Sequence, residues 1–188
     1  MENKPRVDTD QWESHPFFSK TIDHSQTNEY IEGLQAMEAE MSPLEQAELF
    51  KQRGNDIIKH IDEMMKDTTL TAEYKAEQRE KLYFSAHVWY CQAIEKAGNN
   101  NPFIVSCINN RAFVQMQLGN YRNALMDCQK ALKLDAKNEK ALFRAARCAK
   151  EINRLDLALA YIQRAADEKK SPQIDALFKE IVILSRKK

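Results

Sequence analysis

The stretch from residue 109 to residue 166 aligns with itself at an offset of 34 residues, and this internal repeat constrains the fold more than any other feature. Small residues fall on small ones, and large apolar residues fall on large apolar ones. The matched pairs are Ala112 with Ala146, Leu118 with Ile152, Tyr121 with Leu155, Ala124 with Ala158, Cys128 with Ile162 and Ala131 with Ala165. A period of this length, with small residues where two helices must approach closely, predicts stacked helix–turn–helix units.

The pattern resembles the tetratricopeptide repeat, which implies an all-α solenoid. Repeat two is predicted from about Pro102 to Leu134 and repeat three from about Asn138 to Lys169. Gly119-Asn120 and Asn153-Arg154 are the predicted turns inside these repeats. Ser171-Pro172 predicts the start of a last helix that covers the open face of repeat three. Its apolar positions at helical spacing are Ile174, Leu177, Ile181 and Leu184.

Repeat one begins at Ser42-Pro43, a good N-cap followed by the residue favoured at the first helical position. Gly54 occupies the small position of the first helix, and Tyr83, Ala86, Tyr90 and Ala93 match the spacing of the second helix in repeat two. Between these helices lies an insertion of 20 residues, at about 61–80, relative to repeat two. Apolar residues continue a helical stripe into it, so we predict a longer helical hairpin; a floppy loop is the alternative.

The first 41 residues are predicted to form an N-terminal arm with one helix. Residues 1–25 are polar but contain Trp12, Phe17 and Phe18, which indicates either a docking segment or a flexible arm with chance aromatics. Thr27–Glu40 has apolar residues at helical spacing. The predicted domains are therefore the arm and helix (1–41), a three-repeat domain (42–170) and a capping helix (171–188), whose last residues Lys187-Lys188 are expected to be solvated.

Composition excludes several classes of partner. The chain of 188 residues has 28 Lys+Arg against 28 Asp+Glu, and a neutral chain has no general attraction for nucleic acid. It has only 4 Gly and 5 Pro, which favours helix. No apolar run reaches the roughly 20 residues of a membrane helix, and the N-terminus lacks the apolar core of a signal peptide. We therefore expect neither a nucleic-acid nor a membrane partner.

The reactive side chains do not form a catalytic or metal-binding pattern. The four cysteines, Cys91, Cys107, Cys128 and Cys148, are scattered, which predicts buried or half-buried free thiols in a reducing compartment. The four histidines have no metal-ligand spacing and no nucleophile partner, and the four glycines are isolated, so no phosphate loop is present. We predict that the protein is not an enzyme and has neither a metal nor a cofactor.

Five polar side chains are expected to converge in the groove lined by the first helix of each repeat. Lys51 and Asn55 are four residues apart and share one helix face, as do Lys140 and Arg144; Asn110 has the register of Arg144, 34 residues earlier. Such cations and amides suit a doubly anionic ligand, for example a terminal carboxylate beside an acidic side chain. The apolar residues Ile58, Phe113 and Met116 are predicted to face the same way.

These positions resemble the carboxylate clamp of tetratricopeptide co-chaperones. The matching segments are Lys51-x-x-Gly54-Asn55, Asn110-Arg111-Ala112 and Lys140-x-x-x-Arg144. The resemblance implies that Lys51, Asn55, Asn110, Lys140 and Arg144 bind the C-terminal Glu-Glu-Val-Asp tail of heat-shock proteins 90 and 70. It implies a monomeric co-chaperone adaptor that supports the folding of client proteins.

A narrower resemblance covers residues 10–188. Asp10-Gln11-Trp12-Glu13, Pro16-x-Phe18, Leu34-Gln35, Ser42-Pro43-x-Glu45-Gln46-Ala47 and Lys51-x-x-Gly54-Asn55-Asp56 are similar to the family of tetratricopeptide repeat protein 4 and its fungal counterpart, a suppressor of a cyclophilin mutant. The family implies cytoplasmic and nuclear residence and translation elongation factor 2 as a client. In that family an α/β domain follows the repeats, and this chain ends before it, as expected of a shortened protein.

A second function fits the same fold. A solenoid groove also binds internal peptides or helices of partners that are not chaperones, in which case the protein is an assembly scaffold. The two hypotheses differ in whether the free end of the ligand chain is required.

Overall fold

The computed structural model describes residues 32–33, 36–38, 40–98 and 101–186. The predicted aromatic arm with Trp12, Phe17 and Phe18, and the predicted solvated end at Lys187-Lys188, lie outside the described residues. The described residues within the predicted helix Thr27–Glu40 are all helical. The chain divides into two compact units, Met1–Ser42 and Pro43–Lys188.

The second unit is built from helices, and no strand occurs among the residues that the structure describes. In chain order the helices are α1 (Pro43–Lys66), α2 (Ala72–Lys96), α3 (Asn101–Gln117), α4 (Tyr121–Leu134), α5 (Glu139–Glu151), α6 (Leu155–Glu168) and α7 (Pro172–Arg186). Each helix packs on the next, and α3 also packs directly on α5. The first helices of the second and third pairs, α3 and α5, therefore share one surface.

The helix boundaries follow from local chemistry. Thr71 caps α2 by accepting a hydrogen bond from the backbone N–H of Tyr74, and Asn138 caps α5 by accepting one from Ala141. The turn between α3 and α4 places Gly119 at a positive φ of 75°, which costs glycine little. Asn153 has a φ of 61° in the equivalent turn between α5 and α6, and asparagine tolerates this conformation better than most residues.

Small residues hold the pairs together. The alanines of the 34-residue pattern are fully buried at the helix contacts: Ala112, Ala124, Ala131, Ala146, Ala158 and Ala165. Three of the four cysteines are buried, Cys91 is half-buried, and all four are free, which confirms the expectation for the thiols. The side chains of Ile174, Leu177 and Ile181 are buried against this core, so α7 covers the end of the stack as predicted, whereas the predicted fourth position, Leu184, is exposed.

The insertion in repeat one extends both helices of the pair. Helix α1 has 24 residues and α2 has 25, against 17 and 14 in the next pair. Ile61 and Met64 remain buried in the extension. The two helices are joined by a short turn, in which the Asp67 carboxylate accepts hydrogen bonds from the backbone N–H and the hydroxyl of Thr69. The longer hairpin is confirmed, and the floppy loop is excluded.

Candidate functional site

Helices α1, α3 and α5 present the side chains that the sequence singled out. The contact between α3 and α5 is fixed by an amide bridge, in which Asn109 Nδ2 donates to Asn138 Oδ1 over 3.0 Å. The same oxygen accepts from the backbone N–H of Ala141, so the bridge also fixes the start of α5. This positions Lys140 and Arg144, which lie in the first and second turns of that helix.

Asn55 and Asn110 meet across the gap between α1 and α3. Asn110 Nδ2 donates to Asn55 Oδ1 over 3.1 Å, and the Tyr90 hydroxyl donates to the same oxygen over 2.9 Å. Tyr90 comes from α2 and is only 1% exposed. Burial raises the pKa of Tyr90 further above its ordinary value, so its hydroxyl stays protonated and donates. Because its oxygen is occupied, Asn55 is left with its two N–H donors for a ligand.

Arg144 is held beside this amide pair. Its Nη1 donates to the backbone carbonyl of Asn109 over 3.0 Å, and its guanidinium lies over the ring of Phe113, with Cζ 5.5 Å from the ring centroid. Burial lowers the pKa of Arg144 from its ordinary value, yet an arginine remains protonated at neutral pH. The result is a fixed cation with further N–H groups for an acidic group.

Two clefts adjoin these side chains, and Asn110 lines both. The first has a volume of ≈ 390 Å³. Its lining residues are Asn55, Ile58, Lys59, Asp62, Tyr90, Asn110, Phe113 and Arg144. The second, of ≈ 620 Å³, lies between α3 and the start of α5 and includes Lys140. Asn110 thus links the cleft that contains Asn55 and Arg144 to the cleft that contains Lys140.

The two predicted lysines lie outside the first cleft. The Lys51 ammonium is 4.9 Å from the centroid of the Phe103 ring, one turn before Asn55 on α1. Lys140 is exposed at the wall of the second cleft. The structure therefore places Asn55, Asn110 and Arg144 in one cleft, Lys140 in the adjoining cleft and Lys51 one turn before Asn55.

Met116 does not lie in the groove, and that prediction is wrong. Its side chain is 6% exposed and belongs to the main core. From Asn110 to Met116 the helix turns through 600°, which leaves the two side chains roughly 120° apart around the axis. Phe113 lies only half as far as Met116 from Asn110 around the helix axis, and it still lines the cleft. Ile58 on α1 lines the cleft as well.

The sequence reasoning missed Tyr90 as a member of the site. Tyr90 occupies the position that Cys128 and Ile162 hold in the later pairs, and it lies opposite Gly54 of α1. A Cβ at Gly54 would be 2.7 Å from Cε1 of the Tyr90 ring, which shows how closely the helices approach. The sequence did contain a signal for this contact: a glycine on one helix of the pair makes room for a tyrosine ring from the other.

An ion pair fixes the side of α3 that faces away from this cleft. Arg111 binds the Asp127 carboxylate of α4 in bidentate geometry, with both N···O distances 2.7 Å, and it also donates to Cys91 Sγ on α2 over 3.4 Å. Burial alone would lower the pKa of Arg111, but the hydrogen bonds and charge of Asp127 outweigh this and raise it. Helix α3 is thereby tied to both neighbouring second helices.

The described residues contain no group of three or more His, Cys, Asp or Glu side chains arranged to hold a metal ion. Nor does any helix in the described part of the chain have the length and apolarity to cross a membrane.

Comparison with known proteins identifies the repeat. Residues 105–138 match the family model "Tetratricopeptide repeat". The chain is 27% identical over 171 residues to the Hsp70/Hsp90 co-chaperone cns1 of Schizosaccharomyces pombe, which covers 88% of this chain and 42% of that protein. It is 30% identical over 148 residues to human tetratricopeptide repeat protein 4, with 79% and 32% coverage. The chain thus spans less than half the length of these relatives.

Solved structures share the fold. The Hsp90 co-chaperone Cns1 of Saccharomyces cerevisiae superimposes with a TM-score of 0.62 at 25% identity, over 79% of this chain and 42% of that one. The first tetratricopeptide domain of Spaghetti (RPAP3), bound to the HSP90 peptide SRMEEVD, gives 0.60 at 18% identity, over 76% and 95%. The second such domain of human RPAP3, bound to the HSP70 peptide SGPTIEEVD, gives 0.58 at 23% identity, over 74% and 98%. The fold is a tetratricopeptide solenoid.

Proposed function

We propose that this protein is a co-chaperone adaptor whose groove binds the acidic C-terminal tail of heat-shock proteins 90 and 70 and supports the folding of client proteins. One observation carries the proposal. The carboxamides of Asn55 and Asn110, from two different helices, are locked together over a buried tyrosine, and Arg144 lies in the same cleft. Fixed neutral donors beside a fixed cation are suited to an anion with two acidic groups.

In this proposal the ligand's terminal carboxylate accepts hydrogen bonds from the free N–H groups of Asn55 and Asn110 and from Lys51. Lys140 and Arg144 take an acidic side chain of the peptide. Ile58 and Phe113 contact an apolar side chain between the acidic groups. Losing one such charge-assisted contact costs about 1.5–3 kcal/mol, which is roughly a ten- to hundredfold change in Kd.

Bonds within the protein hold the proposed donors in place. Tyr90 and Asn110 donate to Asn55, and Arg144 donates to the carbonyl of Asn109. Binding therefore has a small cost in side-chain ordering, which favours affinity for a short peptide.

The comparisons support this proposal. Two relatives matched over 88% and 92% of this chain are Hsp70/Hsp90 co-chaperones, and two domains of the same fold are bound to peptides that end in EEVD. By the family resemblance, we include in the proposal a monomer in the cytoplasm and nucleus, translation elongation factor 2 as a client, and a binding role without catalysis.

Calorimetric titration of the chain with SRMEEVD, and with the same peptide amidated at its C-terminus, tests the proposal. Amidation removes the negative charge of the terminus and replaces one acceptor oxygen with an NH₂ donor, so it should weaken binding by about tenfold or more. Lys140→Glu should weaken binding of the free peptide because it reverses a charge at the groove. Equal binding of the two peptides would contradict the proposal and favour a scaffold that binds internal segments.

A further inference from the structure

We propose that Asp62 forms a subsite for a cationic side chain of the peptide, a few residues before its acidic terminus. This inference rests on the proposed function, because it assumes that an acidic-ended peptide occupies the groove. It adds a specificity determinant that distinguishes one acidic-ended tail from another.

Asp62 lies in the groove because α1 continues beyond the length of the other first helices. It is one turn after Ile58, and both side chains line the ≈ 390 Å³ cleft with Phe113 and Arg144. Within the described part of the chain, Asp62 forms neither a hydrogen bond nor an ion pair. The nearby Lys59 is directed to Glu63 instead, with its ammonium 3.9 Å from that carboxylate.

The charges along the groove therefore change sign. Lys51 lies one turn before Asn55 on α1 and Lys140 lines the adjoining cleft, whereas the exposed carboxylate of Asp62 lines the ≈ 390 Å³ cleft one turn after Ile58. A peptide that is acidic throughout would meet a like charge at Asp62, which is unfavourable. A peptide with an acidic end and a cation upstream is complementary to both ends.

The spacing sets where that cation must be. Asn55 and Asp62 are seven residues apart on α1, a rise of about 10 Å, which about three residues of extended peptide span. A long arginine or lysine side chain reaches back along the groove from its own Cα. A cation about three to five residues before the terminal residue is therefore within reach. The peptide's acidic residues between this cation and the terminus can pair with Arg144, which lines the same cleft.

The two tail peptides differ in the residue that lies five positions before the terminal aspartate. SRMEEVD has arginine five residues before its terminal aspartate, and SGPTIEEVD has threonine there. The subsite accordingly favours the arginine-bearing tail. Because Asp62 is exposed, its ion pair with a peptide contributes modestly, and we expect about a two- to fivefold difference in Kd.

A cycle of two peptides and three proteins tests the subsite. The peptides are SRMEEVD and the same peptide with its arginine replaced by glutamine; the proteins are wild type, Asp62→Asn and Asp56→Asn. Asp56 is the matched control because it is an exposed aspartate on the same helix that bonds to Gln52 and lines neither cleft. Wild type and Asp56→Asn should prefer the arginine peptide by about two- to fivefold, and Asp62→Asn should lose the preference without losing affinity for the glutamine peptide.

Two results would overturn the subsite: no preference in the wild type, or an equal loss for both peptides in Asp62→Asn. Either result leaves the proposed function intact if the wild type still distinguishes the free from the amidated terminus. If amidation has no effect on the wild type, the proposed function fails and the subsite fails with it.

Discussion

The two polar groups of the Asn55 side chain have different roles, one inside the protein and one toward the proposed ligand. Its oxygen accepts from Tyr90 and from Asn110, so the direction of the amide is decided inside the protein. Its nitrogen is then left to face the cleft. An asparagine whose oxygen and nitrogen both faced the ligand would rotate freely and would lose more entropy on binding.

Replacing Asn55 with alanine should affect both roles. The Tyr90 hydroxyl loses its acceptor in a buried position, which should lower the free energy of unfolding by about 1–3 kcal/mol. The loss of a charge-assisted donor should also raise the Kd of the tail peptide by roughly tenfold or more. Chemical denaturation and calorimetry measure the two effects.

Gln52→Ala is the matched control for Asn55→Ala. Gln52 lies on the same helix, is exposed and donates to the exposed Asp56. Its replacement should change stability by less than about 0.5 kcal/mol and leave peptide binding unchanged. Equal effects of the two variants would show that Asn55 has no special role.

Gly54→Ala should destabilise the protein although alanine is the better helix former. The new Cβ would lie 2.7 Å from a carbon of the buried Tyr90 ring, and the ring is too enclosed to move freely. Overpacking of this kind costs about 1–3 kcal/mol, which exceeds the roughly 1 kcal/mol gained in helix propensity. Chemical denaturation measures the difference, and a stabilised variant would contradict the close contact.

Among the helices, α7 has the clearest structural role. One side of it is buried against the last pair, and the other side is exposed, so it separates the apolar core from water. Solenoids need such an end, because each pair buries its open face only against a neighbour.

Two isoleucines on α7 make this role measurable. Ile181 is 0% exposed and Ile183 is 55% exposed. Ile181→Ala should lower the free energy of unfolding by about 2–5 kcal/mol, because it leaves a cavity at the end of the stack. Ile183→Ala should change it by less than about 0.5 kcal/mol. Similar thermal midpoints for the two variants would show that α7 does not seal the core.

The helices were predictable because their signals are local. The period of 34, the turns at Gly119 and Asn153 and the start of α7 after Ser171 each follow from residues close together in the chain. The long first hairpin was predictable too, since an apolar stripe continues through the insertion. The repeat number and the domain boundaries at 41/42 and 170/171 stay predictions.

The details of the groove were less predictable because they depend on contacts between helices. Met116 packs into the core, although Phe113, three residues earlier on the same helix, lines the cleft. Tyr90 belongs to a second helix and enters the site only because Gly54 leaves room for it. Asp62 lines the cleft only because the extended α1 keeps its direction. Spacing along one helix cannot show which side its neighbours will cover.

At the scale of the whole molecule, stacking brings distant parts of the chain together. Asn55, Asn110 and Arg144 come from three helices and line one cleft, with Lys140 in the adjoining cleft and Lys51 one turn before Asn55. The Arg111–Asp127 pair and the Asn109–Asn138 bridge hold α3 against α4 and α5, so these positions are set by the solenoid itself. The groove is a property of the stack and of no single repeat.

The central claim is that the carboxamides of Asn55 and Asn110 together bind a terminal carboxylate. Nuclear magnetic resonance of the side-chain NH₂ groups, titrated with SRMEEVD and with its C-terminally amidated form, measures this directly. Both NH₂ signals should shift in step with the free peptide and reach saturation at one equivalent, while the amidated peptide should leave them nearly in place. Signals that do not respond to the free peptide, or that respond equally to both peptides, would contradict the claim.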